Sequence, residues 1–427
     1  MTTHFAAYLD DQDLIRMEGG ESVMASLPFT LTSGSKTIEL LPTDEEKTLR
    51  SPLPIDLSQS YTLSNAKGET CLLHYRDIVR QPIFDQLYAY DGEDLGAYYS
   101  KEKTTFAFWA PISQEVQLLI NQTVYPMERT EKGVWRIELE GDWEKASYYY
   151  QHQVNGVTHI VHDPYALSSE ANSGASYVID RHKIERPIQR ATTQLDPTES
   201  IIYELSVRDF SVQKEAGFKH PGKFTALTES PQLNGQTLGF DYLRHLGVTH
   251  VQLLPVYDFG SVDEEDQWKA YNWGYDPVQY NVPEGSYASD PNDPYARILE
   301  LQDTIATYHQ ANLSVIMDVV YNHVYKADEF AFERIVPGYF YRYDQDRQRT
   351  NGTFCGNDVA SERAMVRRYI KQSLRQWVEL YGFDGFRFDL MGILDIQTMT
   401  EIAEELRSLY PNIYLYGEGW KMDTGLS

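Results

Sequence analysis

Cysteine is nearly absent: Cys71 and Cys355 are the only two among 427 residues, far apart and outside any CxxC or Cys/His cluster. That excludes a disulfide framework and gives no support to a structural zinc site, and it suits two reduced thiols in a cytoplasmic protein. Positive charge is also scarce. Lys and Arg number 37 against 63 Asp and Glu, a net charge of -26, so phosphate backbones and anionic lipid surfaces are repelled. No nucleic-acid partner is expected. Nowhere do 18 apolar residues run together, so no membrane span is expected. The N-terminus carries Asp10, Asp11 and Asp13 where an export signal needs a basic start and an apolar run, which again points to the cytoplasm.

What the chain has in quantity is tyrosine, 32 of them, with 7 Trp. Flat amphipathic rings suit sugar stacking, although core packing accounts for most of them. The length corresponds to about three domains, and the hydrophobic pattern divides accordingly. Residues 1–86 alternate in short runs, such as 36–41 and 69–75, between Pro and Gly breaks, and read as a small β-rich domain. Residues 87–185 carry cleaner, evenly spaced strands at 104–110, 115–120, 134–139 and 147–154, the pattern of a β-sandwich. Trp109 and Trp135 lie inside those alternating runs, which favours core positions over sugar platforms. Residues 186–199, with Pro187 and Pro197, read as a linker.

From residue 200 the period changes. Apolar runs at 201–207, 248–256, 313–320, 383–389 and 413–418 alternate with helical patterns. In one of these Val366, Tyr369, Ile370, Ser373, Leu374, Trp377 and Val378 share a face. Strands alternating with helices imply a parallel sheet, here residues 200–427 as five units of a (β/α)8 barrel with the chemistry at the C-terminal ends of its strands.

Three strands close on carboxylates: Asp318, Asp389 and Glu418. A carboxylate ending an apolar strand costs several kcal/mol unless it is paired or functional, by order of magnitude. Arg387 stands two residues before Asp389, so on a strand both side chains leave one face, and the arginine holds the aspartate ionised. A buried Arg/Asp pair bracing the sheet is the plainer alternative. Two carboxyls about 5 to 5.5 Å apart are what glycoside cleavage with retention requires.

The segments DVVYNHV (318–324), GFRFDLMG (385–392) and YGEGW (416–420) resemble three signature regions of the α-amylase superfamily of glycoside hydrolases. YNWGYDPVQYNVPEGSYASDP (271–291) resembles the distinguishing motif of its type I pullulanase branch. The sandwich with HDPYALSS (162–169) is similar to the starch-binding-type sandwich that precedes such barrels, and residues 1–86 to an extra N-terminal domain.

The resemblance implies Asp389 as nucleophile, Glu418 as acid/base and Arg387 as the group that holds the nucleophile. It places Asp318, Asn322 and His323 along the sugar site, with Tyr275 stacked on the sugar at the cleaved bond and Asp276 shaping that end of the cleft. Trp420 would form a platform beyond the bond, with simple rim packing as its alternative, while Trp273 either packs behind the loop or touches ligand. The substrate implied is an α-glucan with α-1,6 branch links. An isoamylase, a branching enzyme or a noncatalytic glucan-binding protein are the rivals, and the YNWGYDP stretch favours the pullulanase branch. No cofactor is required. The run Asp263 to Asp266 could attract a cation such as calcium but reads better as a solvated charge run. A fourth signature region, with a third carboxylate, has no match, so a longer enzyme is expected.

Overall fold

The computed structural model describes residues 5–20, 23–191 and 197–422. Seven strands between Phe5 and Tyr75 form a closed barrel. The run FAAYL turns Phe5, Ala7 and Leu9 inward by simple alternation. Closure comes from parallel pairing of that first strand with the last, Thr70–Tyr75, in the register Ala7 to Leu73 and Leu9 to Tyr75. A closed sheet leaves no edge for a stray strand to extend.

Two antiparallel sheets follow. One contains Glu115–Ile120 and Ser147–Val154, the other Lys103–Trp109 and Val134–Glu140. Their inner faces meet through aromatic rings: Phe108 stacks on Tyr150 at 4.2 Å between centroids, and Phe106 meets Tyr148 edge-on at 5.1 Å. Trp109 and Trp135 are buried, each indole N–H donating 3.0 Å to a backbone oxygen, of Tyr88 and Ala110 respectively. Both are core residues, as their alternation predicts.

The third unit is a parallel sheet of β1 (Ile202–Leu205), β2 (His250–Leu253), β3 (Ser314–Val319), β4 (Gly385–Phe388) and β5 (Tyr414–Gly417), in that spatial order. Helices α1 (Gly239–Leu246), α2 (Ala296–Gln310), α3 (Ala364–Gln376) and α4 (Ile396–Leu409) separate them. Helix α3 buries Val366, Tyr369, Ile370, Ser373 and Leu374, the face that its periodicity marks. Gly382, at φ +85, then reverses the chain into β4. Among the described residues the sheet holds five of the eight strands a closed (β/α)8 barrel has, with β1 and β5 outermost.

The stretch read as a linker lies partly outside the described residues, at 192–196. The part that is described is anchored: Arg190 donates to the backbone oxygens of Gly382 and Phe383 at 2.7 and 3.0 Å and to Asp384 at 2.9 Å. Arg347, in the segment after β3, reaches back to Asp77 at 2.8 Å and Asp10 at 3.1 Å, tying the N-terminal barrel to the strand ends. No described helix is long and apolar enough to cross a membrane.

Candidate active site

The site grows from the register of three strands. β3 and β4 align Asp318 with Arg387, and β4 and β5 align Arg387 with Tyr416. Asp318 on β3, Asp389 just past β4 and Glu418 just past β5 therefore converge on one guanidinium. Arg387 Nη1 donates to Asp318 Oδ1 and Oδ2 at 2.9 and 3.1 Å and to Asp389 Oδ1 at 3.1 Å, while Nη2 donates to Glu418 Oε1. Burial opposes the arginine's charge, but the surrounding carboxylates, Asp318 foremost, outweigh it and raise its pKa.

Asp318 is fully buried. Burial pushes its carboxyl up to about 7, against the pull of Arg387 and of a hydrogen bond from the Tyr275 hydroxyl. That hydroxyl donates to Asp318 Oδ2 at 2.7 Å, which docks the aromatic loop on the strand ends. Asn322 Nδ2 donates both to the backbone oxygen of Asp389 at 2.7 Å and to its Oδ2 at 3.0 Å. His323 lies 2.6 Å from Asn322 Oδ1 through Nδ1 and 2.8 Å from the Tyr275 backbone oxygen through Nε2. Burial lowers the pKa of this imidazole.

Asp389 and Glu418 are thus held from separate sides. Asp389 is fixed by Arg387 and Asn322, while Glu418 Oε2 accepts 3.1 Å from the backbone N–H of Leu390. Leu390 has φ +39, a left-handed backbone for a branched aliphatic residue directly after Asp389. Strain of this kind costs on the order of 1–3 kcal/mol and gathers at functional sites.

Of the residues that sequence marks for this site, Tyr275, Asp318, Asn322, His323, Arg387, Asp389 and Glu418 form one connected network. Asp276 does not join it. Its carboxylate turns to Asn272, whose Nδ2 donates at 2.7 Å, and burial raises it to about 6. Trp420 is 65% exposed on the rim, and Trp273 is exposed rather than packed behind its loop.

The comparisons with known proteins bear directly on this arrangement. Residues 94–166 match the family model Carbohydrate-binding module 48 (Isoamylase N-terminal domain), and residues 218–337 match Alpha amylase, catalytic domain. Pullulanase of Bacillus subtilis (strain 168) is 38% identical over 99% of this chain and 61% of its own length. Among solved structures, pullulanase of Anoxybacillus sp. LM18-11 complexed with maltotetraose superposes with a TM-score of 0.94 at 41% identity, covering 99% of this chain and 62% of that one. Pullulanase of Paenibacillus barengoltzii, in complex with maltohexaose and alpha-cyclodextrin, gives 0.80 at 44% identity, covering 82% and 56%. The chain belongs to the type I pullulanase family. It spans about three fifths of the length of the relatives that match nearly all of it.

Two features of this pullulanase-family chain are not legible in its motifs. The Leu390 amide has no residue-type signal. The second is a buried carboxylate trio, Asp258, Glu264 and Glu284, whose facing oxygens lie within 4.8 Å of one another. The acidic run 263–266 is therefore not simply solvated: Glu264 is buried and paired with the fully buried Arg297 at 3.0 Å. Burial, with the neighbouring Glu264, holds Asp258 and Glu284 well above the usual carboxylate range.

Proposed function

We propose that the polypeptide containing this chain hydrolyses α-1,6 links in pullulan and branched α-glucans by double displacement. Asp389 attacks the anomeric carbon while Glu418 passes its proton to the departing glycosidic oxygen, leaving a glycosyl ester on Asp389. Glu418, now a base, takes a proton from water. The resulting hydroxide equivalent breaks the ester and restores both carboxyls. Retention follows from the two inversions.

The observation that carries this reading is the single guanidinium shared by Asp318, Asp389 and Glu418 under the Tyr275 loop. It brings the two reacting carboxyls to one place, as the retaining geometry demands. Glu418 has one oxygen on Arg387 and the other on the Leu390 amide, so reaching a leaving oxygen requires it to release one of them. The scheme routes every step through carboxylates and water and requires no cofactor.

The YNWGYDP loop, docked through Tyr275, favours debranching by hydrolysis over transfer to a second glucan. The assembled carboxylates favour an enzyme over a passive glucan binder. Digestion of pullulan tests the assignment: maltotriose as the sole product supports it, and panose or isopanose would show α-1,4 cleavage instead.

A further inference from the structure

Asp389 is held by Asn322, and Asn322 lies where the sheet no longer holds the chain. β3 ends at Val319, so the buried run of Asn322, His323 and Val324 continues past the sheet ladder. Buried backbone groups must then find partners elsewhere. Two residues of the segment before α3 supply them. Asn357 Oδ1 accepts 2.9 Å from the Val324 N–H, and Asn357 Nδ2 donates 2.9 Å to the Val324 backbone oxygen. The Val359 N–H donates 2.9 Å to the backbone oxygen of Asn322. A primary amide carries an acceptor and a donor side by side, so Asn357 makes with its side chain the pair of bonds that a neighbouring strand would make.

Asn357 is itself fixed. It is buried, and Thr353 Oγ1 donates 2.8 Å to its backbone oxygen. The next residue, Asp358, accepts from the amides of Gly352 and Thr353 at 2.8 and 2.9 Å, and its backbone oxygen accepts 2.9 Å from the Arg342 N–H. Val359 pairs antiparallel with Tyr341. The turn thus holds Asn357, and Asn357 holds Val324. Two residues back, Asn322 donates to the backbone oxygen and to Oδ2 of Asp389 at 2.7 and 3.0 Å. Among the described residues the Asn357 side chain hydrogen-bonds Val324 alone, so any effect it has on the chemistry passes through the chain it clamps.

We propose that Asn357 is a positioning residue for the hydrolysis, acting on Asp389 through Val324 and Asn322. The inference rests on the α-glucan hydrolase reading above and deepens it. Misplacing a reacting group by about 1 Å costs up to roughly 10²-fold in rate. Asn357 stands one link further away, and its loss should cost less.

The experiment uses full-length protein. Asn357→Ala vacates a polar space in which a water can meet both Val324 groups, so the fold survives while the fixed geometry is lost. On pullulan, with the folded fraction taken from the melting transition, Asn357→Ala should lower kcat about tenfold and leave KM within about twofold. In an Asn322→Ala background the same substitution should cost less than about twofold more, because the link it acts through is already gone. Asn357→Ser keeps a hydroxyl for one of the two bonds and carries the test if the alanine protein does not fold; its expected loss is about threefold. Losses that multiply in the double variant, or a raised KM at unchanged kcat, overturn the proposal. A lowered melting temperature with kcat per folded molecule unchanged would mark a purely structural residue and also overturn it, while pullulan hydrolysis by the unsubstituted protein leaves the function standing. Absence of hydrolysis in the unsubstituted protein would overturn the α-glucan reading, and the positioning role with it.

Discussion

Asn322 holds Asp389 at two points, donating 2.7 Å to its backbone oxygen and 3.0 Å to its Oδ2. One amide thereby sets both where the carboxylate begins and where it points. Asn322→Ala should lower kcat roughly 10²-fold, the scale of a misplaced reacting group, with a small change in KM. Asp389→Asn should lower turnover by about 10⁴-fold or more, because the nucleophile itself is lost. Steady-state kinetics on pullulan separate the two; equal losses would mean that Asn322 does more than position.

Glu418 is testable through the leaving group. Glu418→Gln should abolish hydrolysis of pullulan yet still form the glycosyl-enzyme from an aryl α-glycoside whose phenolate leaves without a proton. Burst kinetics with the activated substrate read this directly. Equal losses on both substrates would remove Glu418 from the acid role.

Asp318 couples activity to stability. Burial pushes its carboxyl up to about 7, above the ordinary value of 3.8. The folded state therefore holds the proton more tightly, and this contribution to stability is fully present below the unfolded pKa and lost as pH rises through about 7. Asp318→Asn removes that loss. Its melting temperature relative to the parent should rise between about pH 4 and pH 7, while activity falls because Asn offers Arg387 and Tyr275 one uncharged acceptor oxygen in place of the two of the carboxylate. A melting difference independent of pH would contradict this.

Arg297 is the cation of the buried trio. Removing it as Arg297→Met leaves Asp258, Glu264 and Glu284 facing one another without the guanidinium that pairs Glu264. The expected cost is on the order of 3–5 kcal/mol, partly recovered at lower pH as the carboxyls take protons. Thermal melts at two pH values check both parts.

The five parallel strands are readable from sequence because central strands are covered on both faces and appear as continuous apolar runs. The pairing of Arg387 with Asp389 is readable for a local reason: residues two apart on a strand share a face. Its contacts with Asp318 and Glu418 are not local. They arise from strand register, which brings together residues 69 and 31 positions apart. The same limit explains Glu264, which sits in an acidic run that looks solvated and is buried because Arg297 lies 33 residues away. Leu390 escapes sequence reading altogether, since neither glycine nor asparagine marks its left-handed backbone. The partner of Asp276 is local: its carboxylate accepts from Asn272 four residues before it.

The central claim is that Asp389 becomes covalently glycosylated in the first displacement. Mass spectrometry of peptides from full-length Glu418→Gln protein, quenched during reaction with an aryl α-maltotrioside, tests it most directly. The account predicts a maltotriosyl mass increment on the peptide containing Asp389, absent when Asp389→Asn is added. A sugar on Asp318, or an unmodified Asp389 peptide while the aryl group is released in a burst, would contradict it.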